Sequence, residues 1–221
     1  MKILCLGDSH TKVFEFANQK QSEFQFDVSF VPGATAQGAV NPNSKTDALN
    51  IFKNTISTNI GSFDKILIML GEVDCGFLIW VRSKKYNIDV GEQIDLSITN
   101  LCTFIQNILS SYNNVKSKDI IIAAATLPTI SDSTDVKYLN GARSEVDVSQ
   151  LKRTEKTLLY NKKLQEICLK NEYIYIDISK NILGTNGIVK PKYLNTSAFD
   201  HHLSNSNTYG LWMKELKSNL K

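Results

Sequence analysis

Apolar residues recur along the chain in two rhythms, and their alternation predicts the architecture. Runs in which nearly every position is apolar stand at residues 2–6, 64–70, 119–125 and 173–178; residues 24–31 alternate, are rich in Phe and Val, and end at Pro32-Gly33. All five have the length and composition of strands. Between them lie stretches with helical spacing. Residues 47–60 place Leu49, Phe52, Ile56 and Ile60 on one face, with Gly61 as a closing glycine. Residues 91–112 form a long amphipathic stretch. Residues 152–171 carry Leu158, Leu159, Leu164 and Ile167 as an apolar face, and a last helix is expected from about Asn207 to Asn219. Strands that are apolar on both faces, alternating with helices, predict a three-layer α/β/α domain over residues 1–221 around a five-stranded parallel sheet. Two segments break the rhythm. Residues 75–90 and 131–148 are long and polar for α/β connections. Both follow the C-terminal end of a strand, the edge where open α/β sheets place their ligands, so both are expected to be functional insertions.

Composition narrows the partners. Hydrophobic residues make up 42% and charged residues 21%, as in ordinary globular domains. The net charge of +3 arises from 25 basic residues spread along the chain without a like-charged block, which argues against a nucleic-acid surface. No apolar run approaches the length of a membrane span. The apolar residues 1–6 are too short for a signal segment and lack an Ala-x-Ala-like site, so they are expected to form a buried strand and the protein to be cytoplasmic. Cys5, Cys75, Cys102 and Cys168 lie far apart with no Cys-x-x-Cys, as suits free thiols in a reducing compartment. No Gly-x-Gly-x-x-Gly follows the first strand, which removes a dinucleotide-binding reading.

The residues just after each strand carry the chemistry. Gly7-Asp8-Ser9-His10 follows the first strand, Pro32-Gly33-Ala34-Thr35-Ala36 the second, and Gly71-Glu72-Val73-Asp74-Cys75 the third; Asp200-His201-His202-Leu203-Ser204 stands near the C-terminus. A doubly wound sheet brings these to one rim. Together they offer a hydroxyl, imidazoles, carboxylates and tight turns with free N–H groups, the parts needed for acyl transfer.

These four blocks, in this order and over residues 3–212, resemble those of the SGNH (GDSL-type) hydrolases. The resemblance implies a flavodoxin-like SGNH hydrolase fold. It implies Ser9 as nucleophile, His202 as base and Asp200 as the acid that orients it, with the backbone N–H groups of Ser9 and Gly33 as oxyanion donors. It further implies a serine esterase acting on a small acyl group such as acetyl, with a small-molecule or carbohydrate ester as substrate and neither cofactor nor metal. Asn161 resembles a helix asparagine of the family; the plainer alternative is an exposed helix position.

Two departures from the pattern matter. The third block of the family is Gly-x-Asn-Asp, and Val73 stands at the position of the donor Asn. Losing such a donor costs about 3–4 kcal/mol in the transition state. His10, Glu72, Asp74 and Arg82 are the polar candidates nearby, with Arg82 favoured as a stabiliser and Glu72 and Asp74 alternatively an exposed turn pair. Asp200 and His202 are two apart where the family has three, so a local kink is needed to bring carboxylate and ring together. Asp8 reads as a cap, His201 as a solvated neighbour, and Trp80 and Tyr86 as either a sugar-stacking wall or a lid anchor. Three other readings stay open: an acyltransferase on the same site, a binding module without chemistry, and a metallophosphoesterase beginning at Asp8-x-His10. The last lacks the Gly-Asn-His and later histidines such enzymes need.

Overall fold

The computed structural model describes residues 1–20, 22–139 and 141–220, with Ala142 as backbone only. Five strands, β1 (Lys2–Gly7), β2 (Gln25–Phe30), β3 (Lys65–Met69), β4 (Ile120–Ala123) and β5 (Ile174–Ile176), form one parallel sheet in the order β2-β1-β3-β4-β5. Among the described residues seven α-helices accompany them: α1 (Lys12–Asn18), α2 (Ala48–Asn59), α3 (Ile79–Tyr86), α4 (Val90–Ser111), α5 (Gln150–Lys170), α6 (Ser179–Ile182) and α7 (Asn205–Asn219). None is long and apolar enough to cross a membrane.

The pleat sorts the strand residues between two cores. Leu4, Leu6, Ile66, Ile68, Ile120 and Ile122 face a layer that includes Phe52 of α2, Phe104 of α4 and Leu164 of α5. Their neighbours Ile3, Cys5, Leu67, Met69 and Ile121 face Phe14 of α1 and Trp212 of α7. Nearly continuous apolar strands are the direct consequence of burial on both faces. Each fully buried Leu, Ile or Phe contributes about 1.5–3 kcal/mol of transfer free energy.

Several expectations need correction. Helix α1 is short and was not anticipated. The segment 75–90 is helical: a π-helical turn over Asp74–Leu78 runs into α3, and Cys75, Phe77 and Ile79 are buried. Trp80 anchors it, donating from Nε1 to the Cys75 carbonyl at 2.8 Å, whereas Tyr86 is exposed. Ile60 falls just past α2 and is exposed. The inward face of α5 is polar in its first half, where Gln150, Arg153, Thr154, Thr157 and Asn161 are buried. Hydrogen bonds explain this burial. Gln150 donates to the Pro128 carbonyl, Arg153 to those of Ile130 and Val148, and Asn161 takes both the N–H and the carbonyl of Ala125 at 2.9 Å. Apart from the bond to Val148, these side chains satisfy the backbone of residues 125–130, which follow β4. Asn161 is therefore a buried clamp and not an exposed helix position.

Candidate active site

The C-terminal ends of β1, β2 and β3 and the loop before α7 meet at one rim. Gly7 closes β1 where no side chain fits, since a Cβ there would lie 2.2 Å from the Met69 carbonyl oxygen. The chain then turns through a short 3-10 segment, Ser9–Thr11, capped by Asp8, whose Oδ1 accepts the His10 N–H at 2.9 Å. This turn directs Ser9 toward the far end of the chain. Ser9 Oγ lies 2.7 Å from His202 Nε2, and His202 Nδ1 lies 2.7 Å from Asp200 Oδ1. The same carboxylate oxygen accepts the His202 backbone N–H at 2.9 Å, and Asn195 donates to the other at 2.9 Å. The two-residue spacing thus serves as a turn in which Asp200 holds both the main chain and the ring of His202.

Electrostatics follow the contacts. Burial pushes the Asp200 carboxyl up, but the backbone and ring N–H of His202 outweigh it and hold the group below the usual carboxylate range. Burial and the neighbouring His10 lower His202 in spite of Asp200. A neutral ring with its proton on Nδ1, facing Asp200, presents a lone pair to the Ser9 hydroxyl. Among the described residues the N–H groups of Ser9 and Gly33 have no acceptor. Gly33 sits at φ +73°, a left-handed conformation that favours glycine.

No protein-family model matches the sequence, and no curated protein matches it. Solved structures do match. A GDSL-like lipase from Bacteroides thetaiotaomicron aligns over 98% of this chain and 86% of its own at 14% identity, with a TM-score of 0.61. A carbohydrate acetylesterase family member from Sinorhizobium meliloti aligns over 99% and 96% at 13% identity, TM-score 0.60. An extracellular lipase from Streptomyces rimosus aligns over 99% of both chains at 11% identity, TM-score 0.57. The chain has the SGNH hydrolase fold. At these identities the likeness establishes the fold.

Within the SGNH fold the remaining polar residues take distinct places. Asp74 is fully buried and works as a staple: Oδ2 accepts the Ala36 N–H at 2.7 Å, and Oδ1 accepts the Gln37 N–H at 3.0 Å and the Ser97 hydroxyl at 2.9 Å. It ties the turn after β2, which carries Gly33, to α4. Glu72 is also buried, with Oε2 lacking a hydrogen-bond partner among the described residues, and burial raises its carboxyl. Neither belongs to an exposed turn. Val73 is buried and offers no donor. Arg82 lies half-buried on α3 and lines no part of the cavity described next.

A cavity of about 350 Å³ flanks the site, bordered by Glu72, Phe77 and His201 and walled largely by residues 128–136 and 146–149. The second insertion thus forms its wall, although residue 140 lies outside the described residues. Here the structure supplies a cation that the sequence did not indicate. The Arg143 guanidinium sits 4.3 Å over the Phe77 ring, and its Nε is buried without a hydrogen-bond partner among the described residues. Only its place in the folded chain, 71 positions from Glu72 in sequence, brings it to the rim. His201 is half-buried and not solvated: its ring packs 3.9 Å from that of His202, and burial with the Arg143 charge lowers it to about 3.

His10, His201 and His202 offer ring nitrogens within 4.8 Å of one another. Their contacts do not suit a ligand set. His10 Nδ1 is 2.8 Å from Asp8 Oδ1, its Nε2 is 3.3 Å from the His201 carbonyl, and His202 is held between Asp200 and Ser9. Asp8 and His10, which a metallophosphoesterase reading takes as two metal ligands, are engaged with each other.

Proposed function

We propose that this protein is a serine ester hydrolase in which Ser9, His202 and Asp200 act together. The observation that carries the proposal is the unbroken series of hydrogen bonds from Ser9 Oγ through His202 to Asp200, each at 2.7 Å. Ser9 Oγ attacks the ester carbonyl carbon while its proton passes to His202 Nε2. The carbonyl oxygen becomes an oxyanion facing the N–H groups of Ser9 and Gly33. Collapse expels the alkoxide, which takes the proton from His202. Water then attacks the acyl-enzyme with His202 again as base, releasing the acid and restoring Ser9. The flanking cavity falls within the range of small-molecule sites, and we assign it to the acyl or alcohol group of the substrate. A carbohydrate acetate is the favoured substrate class, supported by the shared fold with an acetylesterase.

The proposal is tested with a fluorophosphonate probe and p-nitrophenyl acetate. The expected result is a single covalent adduct located at Ser9 by mass spectrometry, acetate release at a measurable rate, and no change on adding a chelator. An adduct elsewhere, or none, rejects it.

Val73 yields a separate prediction. Introducing the missing donor, Val73→Asn, is expected to raise kcat by about ten-fold, a part of the hundred- to thousand-fold that one oxyanion donor supplies where measured. The buried amide should also cost about 1–3 kcal/mol of stability if its second hydrogen bond goes unmade. An unchanged kcat in a folded variant would mean that another group already faces the oxyanion.

A further inference from the structure

The rim contains the same small device twice. In Asp8-Ser9-His10 and in Asp200-His201-His202, the Asp Oδ1 accepts the backbone N–H of the histidine two residues on at 2.9 Å, and also contacts its ring Nδ1, at 2.8 Å and 2.7 Å respectively. The two rings face each other with centroids 4.7 Å apart. They differ in what the second nitrogen meets. His202 Nε2 meets the Ser9 hydroxyl, a group that can donate. Among the described residues His10 Nε2 meets only acceptors, the His201 carbonyl oxygen at 3.3 Å and Glu72 Oε2 at 3.6 Å. A lone pair on that nitrogen would point at a carbonyl oxygen, so the contacts on both sides of the ring call for N–H groups.

We propose that His10 is a standing imidazolium whose charge keeps the facing His202 ring neutral, making it a positioning residue for the base; this rests on the function proposed above. Burial by itself favours a neutral His10, but the Asp8 and Glu72 carboxylates and the hydrogen bonds outweigh it and raise the ring to about 9. The groups facing His202 divide clearly. Asp200, on its own loop, and Asp8, on the β1–α1 turn, favour its charged form; burial and His10 oppose it, and His201 packs against it, tilted by 42°, as a neutral ring. Glu72 and Arg143 act at one remove, on His10 and His201. Without His10, two carboxylates would pull His202 toward the protonated state, in which it cannot accept the Ser9 proton. Two like charges about 5 Å apart in a partly buried place repel enough that removing one shifts its neighbour by about one pH unit.

The chain has only three histidines, so their ring nitrogens can be followed individually by NMR in the intact protein. In the wild type, His10 is expected to show two protonated nitrogens at pH 7 and His202 a single one. In His10→Gln the His202 midpoint is expected to move up by about one pH unit, and the acid limb of kcat/KM for p-nitrophenyl acetate to move with it. Glu72→Gln, which keeps the His10 ring and removes one facing carboxylate, should lower the His10 midpoint, and an unmoved His10 midpoint there overturns the proposal if His10→Gln does not fold. A neutral His10 at pH 7 in the wild type, or an unmoved His202 midpoint in folded His10→Gln, overturns the proposal. If the rings titrate as expected but no ester is turned over, the proposal about His10 stands and the esterase function falls.

Discussion

Ser9→Ala is expected to lower kcat/KM for a small ester by about 10⁵–10⁶-fold and to abolish labelling by a serine-directed probe, with little change in stability. The size follows from the chemistry: without Oγ there is no acyl-enzyme, and what remains comes from binding and the backbone donors. His202→Ala should cost about as much, because an unassisted hydroxyl is a poor nucleophile at neutral pH. On the proposed mechanism Ser9 and His202, joined at 2.7 Å, act as one unit, so the double variant should be no slower than either single one. Asp200→Asn should cost about 10⁴-fold, because an amide can present its NH₂ to the ring and favour the wrong tautomer. Steady-state kinetics on the four proteins checks all of this. A Ser9→Ala protein retaining most of its activity would place the nucleophile elsewhere, and a multiplicative double variant would break the link between serine and histidine.

The largest stability effect is expected away from the reacting atoms, at Asp74. Asp74→Ala leaves the N–H groups of Ala36 and Gln37 and the Ser97 hydroxyl without their acceptor in a buried place. We expect a loss of about 3–5 kcal/mol, since hydrogen bonds to a charged group are worth more than neutral ones and buried donors left alone carry a desolvation penalty. For a protein of this size that lowers Tm on the order of 10 °C. Asp74→Asn, which keeps the shape and part of the bonding, should lose less. Urea denaturation of the three proteins, followed by circular dichroism, gives the values. A loss below about 1 kcal/mol for Asp74→Ala would show that the turn after β2 is held by other contacts. Because that turn carries Gly33, activity should fall alongside stability.

The sheet was legible because burial on both faces leaves β1, β3, β4 and β5 few polar positions, while the edge strand β2 shows as an alternating stretch; all five lie where those patterns stand. Helices were legible in proportion to how one-sided they are. The long helix α4 shows its stripe plainly. In α5 the inward side chains of the first half are Gln, Arg, Thr and Asn, bonded to the backbone beyond β4, so hydrophobic spacing understates how deeply that helix is set. Helix α3 was read as a polar insertion because Arg82, Lys84 and Lys85 mask the buried Ile79 at its start. At the site, the resemblance of four short blocks, in order, to those of a known family led to Ser9, Asp200 and His202. Arg143 could not be found in this way, because nothing local to residue 143 reports that it will cross to Phe77. The burial of Asp74 and Glu72 was equally hidden, since a carboxylate reads as exposed until its donors, 37 and 38 residues away for Asp74, are known.

Ser9 and His202 are separated by 193 positions, yet β1, which carries the serine, is flanked in the sheet by β2 and β3. The order of synthesis therefore separates the two halves of the proposed machinery in time. The hydroxyl leaves the ribosome 193 residues ahead of the base and waits, unassisted, until that segment follows. The base arrives only with the segment secured by α7, whose Trp212 packs against Phe14 of α1. A nascent or truncated chain ending before Asp200 could assemble all five strands and still have no base to draw the proton from Ser9. Turnover would then report that the segment bearing His202 has been made and α7 docked, so the site would stay chemically silent until that part of the fold is in place.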